Sequence, residues 1–381
     1  MGSYYIYNMH QQLIYIIIAF CFSAICGIIT IPQIISFCNR KKLYDIPNAR
    51  KIHKESIPRL GGVCFLPSML LAFLVCTIFY NNSFKDKQLQ FSLWSVYFFI
   101  SLLLIYAAGI IDDLIGIGAK TKFSFQIIAS LLLPLAGLYI NNLYGFCGIH
   151  EIPYWLGASL TIYIIVFFVN AINLIDGIDG LCASVSFIAL AGFLFCFMQA
   201  GLKTYSMLIA SMMGVLIPFF YYNIWGNEKK RQKIFMGDSG SLTLGFILAF
   251  LYVKVTMNNP IIMPFNETSI VLANSLLIVP ALDVIRVSLV RFKHHQSMFR
   301  ADKNHIHHKL MRAGLSQHQT LLTIICLIFI FIVLNLVLQH LVSLTVMAAI
   351  DILVWFAFHA IINKLIVKQG KSIFTNIPQK K

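Results

Sequence analysis

The chain has 381 residues, of which 59% are hydrophobic and only 11% are charged. Soluble domains average roughly 25% charged residues, so this composition excludes a soluble globular protein and predicts a membrane protein. The formal net charge is +15. Because the basic residues lie in loops between apolar segments, they indicate membrane orientation and give no reason to expect a nucleic-acid partner.

Eleven apolar segments are long enough to cross a bilayer, which takes about 20 residues for a helix. In chain order they cover residues 13–37, 62–80, 93–111, 123–140, 154–172, 181–199, 204–222, 240–257, 268–290, 319–338 and 341–363. The sequence therefore predicts an all-α, polytopic membrane helix bundle of about eleven transmembrane helices. No linker or repeat divides it, so residues 1–381 are expected to form a single integral-membrane domain.

Lysine and arginine predict the orientation of this bundle. If the N-terminus lies outside, 24 of the 29 basic residues fall on the inner side of the membrane, as the positive-inside rule requires. The C-terminus is then cytoplasmic. The inner loops expected to form an active site cover residues 39–61, 112–122, 173–180, 223–239 and 291–318, and residues 364–381 form a basic cytoplasmic tail.

The chain contains only 14 carboxylates, and five of them fall in three short motifs beside apolar segments. These five are Asp112, Asp113, Asp176, Asp179 and Asp238. In the predicted topology all three motifs reach the inner side. Charged groups at the edge of a membrane are costly and usually functional, so we expect one active site at the cytoplasmic membrane surface.

Asp112 and Asp113 end the third predicted span. Adjacent carboxylates repel each other, so the pair indicates either a divalent cation or a role in proton transfer. A solvated pair that caps a helix is the structural alternative. Lys122 follows shortly and could meet a phosphate as a point charge.

Asp238 lies before small residues at the start of a span, a suitable place for a metal ion that also binds phosphates. An intramembrane aspartyl protease would carry a GxGD motif here, but Phe235 occupies the position of its first glycine, which excludes that class. Asn223 follows an aromatic run, Phe219–Tyr222, that suits either base stacking or an interfacial aromatic belt.

Two basic loops complete the set of motifs. The first contains His53 and Pro58-Arg59-Leu60-Gly61-Gly62, whose glycines could expose helix amides to an anion, although basic loops are often only anchors. The second contains Arg300, His305, His307 and His308. No cysteine lies near these histidines, and neighbouring lysines would repel zinc, so a diphosphate-binding loop is the better interpretation.

Together these motifs resemble those of the polyprenyl-phosphate N-acetylhexosamine-1-phosphate transferases. The similar segments are Pro58–Gly62, Asp112-Asp113, Lys122 with Gln126, Asn170–Leu181, Phe235–Ser241 and His305–His308. Members of this family transfer a sugar 1-phosphate from a UDP-sugar to a membrane polyprenyl phosphate, release UMP and use magnesium.

The resemblance implies roles for individual residues. Asp238 and Asn173 would bind Mg²⁺, for which Mn²⁺ could substitute, and Asp112 and Asp113 would be catalytic. The implied substrate-binding residues are Lys122, Asp176, Asp179, Asn223, Arg300, His305, His307 and His308. His53 and Arg59 would contact the lipid phosphate or be structural. The implied partners are a UDP-N-acetylhexosamine, undecaprenyl phosphate and membrane lipid, with a homodimer allowed, in the inner membrane of a bacterium.

Two features favour one branch of the family. Ile306 interrupts the histidine run, and Arg59 stands in Pro-Arg-Leu-Gly-Gly, where the peptidoglycan branch usually has Pro-Thr-Met-Gly-Gly. Both resemble the branch that begins O-antigen or related polymers with UDP-GlcNAc.

A phospho-MurNAc-pentapeptide transferase is the alternative within the family. A proton-coupled transporter is the alternative outside it, and would place its carboxylates near the bilayer midplane. The sequence leaves direct attack and a covalent aspartyl intermediate open, and we favour direct attack.

Overall fold

A computed structural model of the protein describes residues 2–45, 56–84, 89, 93–297 and 303–374. Over these ranges the chain forms long helices and two small antiparallel sheets of two strands each. The predicted class, an all-α polytopic membrane bundle, is confirmed. Of the predicted site residues, His53 and Arg300 lie outside the described residues.

The helices follow one another with short connections. They are α1 (Gly2–Lys41), α2 (Phe65–Ser83), α3 (Leu93–Ile115), α4 (Ala119–Leu135), α5 (Tyr154–Ile175), α6 (Leu181–Gln199), α7 (Lys203–Ile224), α8 (Gly237–Thr256), α9 (Glu267–Lys293), α10 (Ile306–Arg312), α11 (Gln317–Leu338) and α12 (Leu344–Lys368). Strand β1 (Tyr44–Asp45) pairs with β2 (Ile57–Pro58), and β3 (Asn142–Phe146) pairs with β4 (Ile149–Glu151). A 3₁₀ turn, Gly61–Cys64, leads into α2.

Ten helices in the described part of the chain are long and apolar enough to cross a membrane, one fewer than predicted. The difference is α4, which has 17 residues and is about 26 Å long against a hydrocarbon core of about 30 Å. It nevertheless runs from one end of the bundle to the other. Lys122 near its start contacts the end of α3, and the Pro134 carbonyl near its end accepts a hydrogen bond from Tyr154 at the start of α5.

The central element of the bundle is α8. Of its most apolar stretch, 94% is buried, and it packs against α3, α5, α6 and α9. Small residues allow this close packing, as they commonly do between helices in membranes. A Cβ atom on Gly62 would lie 2.1 Å from the Cα of Gly240, and one on Gly109 would lie 2.6 Å from the Cα of Ser239.

The helices extend further than hydropathy predicted at several ends. The last turn of α3 contains Asp112 and Asp113, and the last turn of α5 contains Asn173. Likewise α12 continues to Lys368, so the predicted tail from residue 364 begins as helix. Hydropathy ends a span at the first polar residues, whereas a helix continues where neighbouring elements satisfy them.

The bundle has two distinct ends. Asp112, Asp113 and Asp238 lie at one of them, which we call the aspartate end. Helix α12 finishes at this end, where Gln369 donates to the Ala313 carbonyl just after α10 (2.6 Å). Helix α1 starts at the opposite end, where the Tyr15 ring packs on Tyr80 near the end of α2.

Candidate active site

Three carboxylates meet at the aspartate end. Asp112 and Asp113 come from the last turn of α3, and Asp238 comes from the first turn of α8. Each offers an oxygen within 4.8 Å of the others, and they are the only metal-competent cluster of three acidic, histidine or cysteine residues in the part of the chain that the structure describes. The structure thus brings together two motifs that are separated by more than one hundred residues.

Lys122 bridges two of these carboxylates. Its ammonium donates to Asp112 Oδ2 (2.9 Å) and to Asp238 Oδ2 (2.5 Å). Asp112 also accepts from the backbone N–H of Ile117 through its other oxygen (2.8 Å). One ammonium among three carboxylates leaves negative charge uncompensated. Carboxylate oxygens are ligands that Mg²⁺ prefers, so the donor set fits a divalent cation. The Lys122 ammonium already supplies one positive charge to these carboxylates.

Asp113 is the most buried of the three carboxylates. Its two oxygens accept hydrogen bonds from the backbone N–H groups of Asp238 (2.8 Å) and Ser239 (2.9 Å). These amides belong to the first turn of α8, where N–H groups have no partner within the helix and the dipole favours a negative charge. Asp113 is therefore the N-terminal cap of α8, supplied by α3.

The glycine of the Gly237-Asp238 motif has a specific reason to be there. Gly237 has φ +74°, and a Cβ atom at this position would lie 2.6 Å from Asp113 Oδ2. A larger residue would be strained in this conformation and would collide with the carboxylate. Arg59 holds the same region from the other side because its guanidinium donates to the Asp113 carbonyl.

Asn173 orients Asp238. Its Nδ2 donates to Asp238 Oδ1 (3.2 Å) and to Ser241 Oγ (2.8 Å). One turn earlier, Asn170 donates to Gln126 Oε1 (2.6 Å), which joins α5 to α4 below the carboxylates. Asn173 thus lies beside the cluster, and Asn170 and Gln126 are structural.

The loop between α5 and α6 contributes Asp176 and Asp179. Desolvation by the surrounding protein and the negative charges of Asp238 and Asp179 raise the pKa of Asp176 to about 7. Because the Asp176 side chain is exposed to solvent, the neighbouring carboxylates are the main physical cause of the raised pKa. Asp179 pairs with Lys233 (2.8 Å), which also pairs with Glu228 (2.7 Å). Burial lowers the pKa of Lys233, but its two carboxylate partners outweigh burial and the net pKa is raised.

Asn223 has a bridging position. Its Oδ1 accepts from the N–H of Gly180 (2.6 Å), and its Nδ2 donates to the Ile234 carbonyl (2.8 Å). The side chain is buried. It joins the α5–α6 loop to the α7–α8 loop, and this geometry favours positioning over the direct nucleotide contact that the sequence suggested.

The histidine loop is anchored by a residue that the sequence analysis missed. Asp283, buried in α9, accepts from His305 (2.8 Å), from Arg286 (2.7 Å) and from the N–H of Ile306 (3.0 Å). The signal was present, because an aspartate and an arginine one turn apart inside an apolar span indicate a buried, functional or structural pair.

His307 packs α10 against the α5–α6 loop, which contains Asp176 and Asp179. A Cβ atom on Gly177 would lie 2.1 Å from His307 Nε2, so only glycine fits beneath this ring. Burial lowers the pKa of His307 well below its usual value, which keeps the ring neutral. The His308 ring lies 4.3 Å from it. Of the predicted substrate loop, His305, His307 and His308 are brought together beside the Asp176–Gly180 segment.

The Pro58–Gly62 segment does not offer free amides, contrary to one expectation from the sequence. Gly61 and Gly62 donate to the carbonyls of Phe235 (2.9 Å) and Met236 (2.7 Å). The paired glycines let this segment approach the backbone before α8. For Arg59, which was predicted as a lipid-phosphate or structural residue, the described contact is structural.

Comparison with known proteins shows the family of this chain. Residues 95–256 match the family described as Glycosyl transferase family 4. A probable undecaprenyl-phosphate N-acetylglucosaminyl 1-phosphate transferase of Bacillus subtilis is 30% identical over 87% of both chains. The chain belongs to the polyprenyl-phosphate N-acetylhexosamine-1-phosphate transferase family. Undecaprenyl-phosphate alpha-N-acetylglucosaminyl 1-phosphate transferases of Yersinia pestis (29% identical, 74% of this chain and 73% of the relative) and Escherichia coli K12 (27%, 74% and 72%) are also similar.

Within this transferase, the matched range contains the carboxylate cluster together with Lys122 and Asn173. Depth also separates the transferase from the transporter alternative. Asp112, Asp113 and Asp238 lie in terminal turns of helices, and Asp176 and Asp179 lie in a loop at the same end. A transporter would need such groups near the midplane, so the geometry agrees with the family assignment.

Proposed function

We propose that this protein transfers N-acetylglucosamine 1-phosphate from UDP-GlcNAc to undecaprenyl phosphate in a magnesium-dependent reaction. The products would be UMP and a lipid diphosphate sugar that starts a cell-envelope polysaccharide. The observation that carries the proposal is the cluster in which Lys122 bridges Asp112 and Asp238. It would provide both a cation site and a phosphate-binding ammonium at one end of the bundle, and the names of the relatives contain the same sugar and lipid.

Asp238 and Asp112 would bind Mg²⁺, with Asn173 holding Asp238 in place or adding its carbonyl oxygen, and Mn²⁺ could substitute. The bound ion would neutralise the donor diphosphate and draw charge onto the UMP leaving group. Lys122 would move from the carboxylates to a substrate phosphate oxygen, because an ammonium on a flexible stem suits both partners.

The bond changes follow from these positions. An oxygen of the lipid phosphate forms a bond to the phosphorus that carries the sugar, and the bond from that phosphorus to the bridging oxygen breaks. That oxygen leaves with UMP. Because this chemistry depends mainly on positioning and charge neutralisation, we propose direct attack, with Asp112 positioning the lipid phosphate. Asp113 would act through α8 by holding Asp238, and is therefore a positioning residue.

The donor would lie between the α5–α6 loop and α10. Asp176 and the Asp179–Lys233 pair face the nucleotide part in this proposal, and Asn223 keeps their loop in place. His305, His307 and His308, with Arg300 next to them in sequence, would contact the diphosphate and the sugar. Asp283 and Gly177 make this arrangement compact by fixing His305 and His307.

Donor selectivity tests the proposed function. Purified protein with undecaprenyl phosphate and radiolabelled UDP-sugars is expected to transfer label from UDP-GlcNAc or a close N-acetylhexosamine relative, and not detectably from UDP-MurNAc-pentapeptide. A site that hydrogen-bonds particular hydroxyls can discriminate by roughly 10⁴-fold. Efficient transfer from the pentapeptide donor would move the protein to the peptidoglycan branch. Loss of label transfer with every UDP-sugar would contradict the reaction class.

The proposed inner-membrane orientation places the aspartate end in the cytoplasm. Cys147, in the turn between β3 and β4 at the opposite end, is exposed and is a native reporter. A membrane-impermeant maleimide is expected to label intact cells, and Cys147→Ser should remove that labelling. Lys230→Cys in the Cys147→Ser background should react only in inverted vesicles. Labelling of this variant from outside would invert the topology.

A further inference from the structure

A cavity lies at the end of the bundle opposite to the carboxylate cluster. It has a volume of about 370 Å³ and is formed by the end of α2, the start of α3, the start of α7 and the end of α8. Its walls are mostly aromatic or aliphatic, and include Phe73, Tyr80, Phe98, Tyr205 and Phe250. Nothing in the proposed transfer reaction uses this cavity.

Lys254, in the last turn of α8, is the unusual residue of this cavity. Its side chain is 1% exposed, and its ammonium has no hydrogen-bond partner among the described residues. It lies 3.9 Å from the centre of the Trp94 ring and 5.7 Å from that of Tyr205. A lysine near the end of a span normally extends to the interface and keeps its charge in water. Lys254 instead points inward against aromatic faces, which stabilise a cation only in part.

The cavity contains a second cation and no described anion. Lys203, in the first turn of α7, donates to the hydroxyl of Tyr80 (2.8 Å). Among the described residues that line the cavity there is no aspartate or glutamate. A buried ammonium to which the described residues give no counter-charge is costly, so the described surroundings of Lys254 and Lys203 are complementary to an anionic ligand.

The position of the cavity indicates what kind of anion it binds. Lys254 is two residues from the end of α8, whereas Phe73 is ten residues from the end of α2. At 1.5 Å per residue, the cavity extends from close to the membrane surface to about 15 Å inside the bundle. A free inorganic phosphate would lose its hydration against these apolar walls, while an amphiphile would place its phosphate near the lysines and its chain along the phenylalanines.

We propose that this cavity is a binding site for an anionic membrane phospholipid, with the headgroup phosphate paired to Lys254 and Lys203 and an acyl chain against Phe73 and Phe98. It lies at the far end of the bundle from the catalytic cluster and goes beyond the proposed function. A bound lipid would stabilise the packing of α8 against α2, α3 and α7. Helix α8 also carries Asp238 in its first turn. A lipid bound at the other end of α8 would therefore stabilise the helix that holds the carboxylate cluster.

Thermal unfolding of the full-length protein in detergent tests the site. Phosphatidylglycerol is expected to raise the Tm of the wild type by at least about 2 °C more than phosphatidylcholine, because a ligand that binds only the folded state stabilises it. Lys254→Met should abolish this difference, and Lys254→Arg, which keeps the charge, should retain it. Lys368→Met is the matched control, since Lys368 is also in the last turn of its helix but is exposed, and should behave as the wild type.

A second measurement needs no variant. Native mass spectrometry of the wild type with equal amounts of the two lipids should retain one phosphatidylglycerol per chain in preference to phosphatidylcholine. Equal retention of the two lipids would overturn the proposal, and so would an undiminished phosphatidylglycerol effect in Lys254→Met. A Tm increase of the same size with inorganic phosphate alone would also overturn it, by identifying a site for free anions.

Discussion

Asp238→Asn is expected to lower turnover by about 10³-fold or more at every magnesium concentration. The amide is a much poorer ligand for a hard cation than a carboxylate. A bound metal contributes several kcal/mol to transition-state stabilisation, and a loss of about 4 kcal/mol corresponds to about 10³-fold in rate. In the structure Asp238 is also one of the two carboxylates that accept from the Lys122 ammonium. The substitution would therefore also disturb the position of this ammonium, which is proposed to bind a substrate phosphate.

Two measurements separate a metal defect from a folding defect. Binding of Mn²⁺ followed by electron paramagnetic resonance should be lost in Asp238→Asn, while the Tm stays near that of the wild type. Glu267→Gln is the matched control, because Glu267 is the acidic residue in the first turn of α9 and lies at the opposite end. It should keep wild-type turnover. Wild-type turnover of Asp238→Asn at limiting magnesium would show that Asp238 is not a metal ligand.

The fold was largely predictable because the bilayer fixes the length of a spanning helix. Composition and spacing alone predicted all the long helices, and most helix ends lie within about five residues of the predicted ends, although α1 begins well before its predicted start. Helix α4 is the exception, since it is shorter than a usual spanning helix. Hydropathy predicted a span over residues 123–140, whereas the helix has 17 residues, and its contacts with α3 and α5 place its two ends at opposite ends of the bundle. Hydropathy measures a segment by itself and does not contain these contacts.

The site was predictable as a set of residues and less so as a set of roles. Scarce carboxylates on one side of the membrane indicated a cluster, and the structure brings them together. Roles depend on partners far away in sequence, such as the Asp238 and Ser239 amides that bind Asp113. Asn223 illustrates the same limit. Its aromatic neighbours in sequence suggested a contact with the nucleotide base, whereas in the structure its side-chain amide joins the α5–α6 loop to the α7–α8 loop. Asp283 was missed although Arg286 lies one turn away in sequence, because its other partner, His305, becomes a neighbour only after folding.

These contacts divide the paired aspartates into two functions. Asp112 faces Lys122 and the open side of the cluster, whereas Asp113 is buried under the first turn of α8. A misplacement of a reacting group by about 1 Å can lower the rate by about 10²-fold, and Asp112 is proposed to position the lipid phosphate. We therefore expect Asp112→Asn to lower turnover by about 10²-fold or more while the Tm falls less than in Asp113→Asn, since Asp112 is partly exposed and its partner Lys122 keeps Asp238 as a second carboxylate.

Asp113→Asn is expected to lower both the Tm and the turnover. Hydrogen bonds to a charged group contribute about 1.5–3 kcal/mol each, and an amide can accept from only one of the two N–H groups while its own NH₂ faces the other. A loss of about 3 kcal/mol would lower the Tm by about 5 °C or more. The freed α8 terminus would displace Asp238, so Mn²⁺ binding should weaken in Asp113→Asn. It should also weaken in Asp112→Asn, which removes a proposed ligand, so the Tm is the measurement that distinguishes the two variants. Because both variants carry the same substitution at adjacent positions, each is the control for the other. Unchanged Tm in Asp113→Asn with lost turnover would assign this carboxylate to the chemistry and remove its role as the cap of α8.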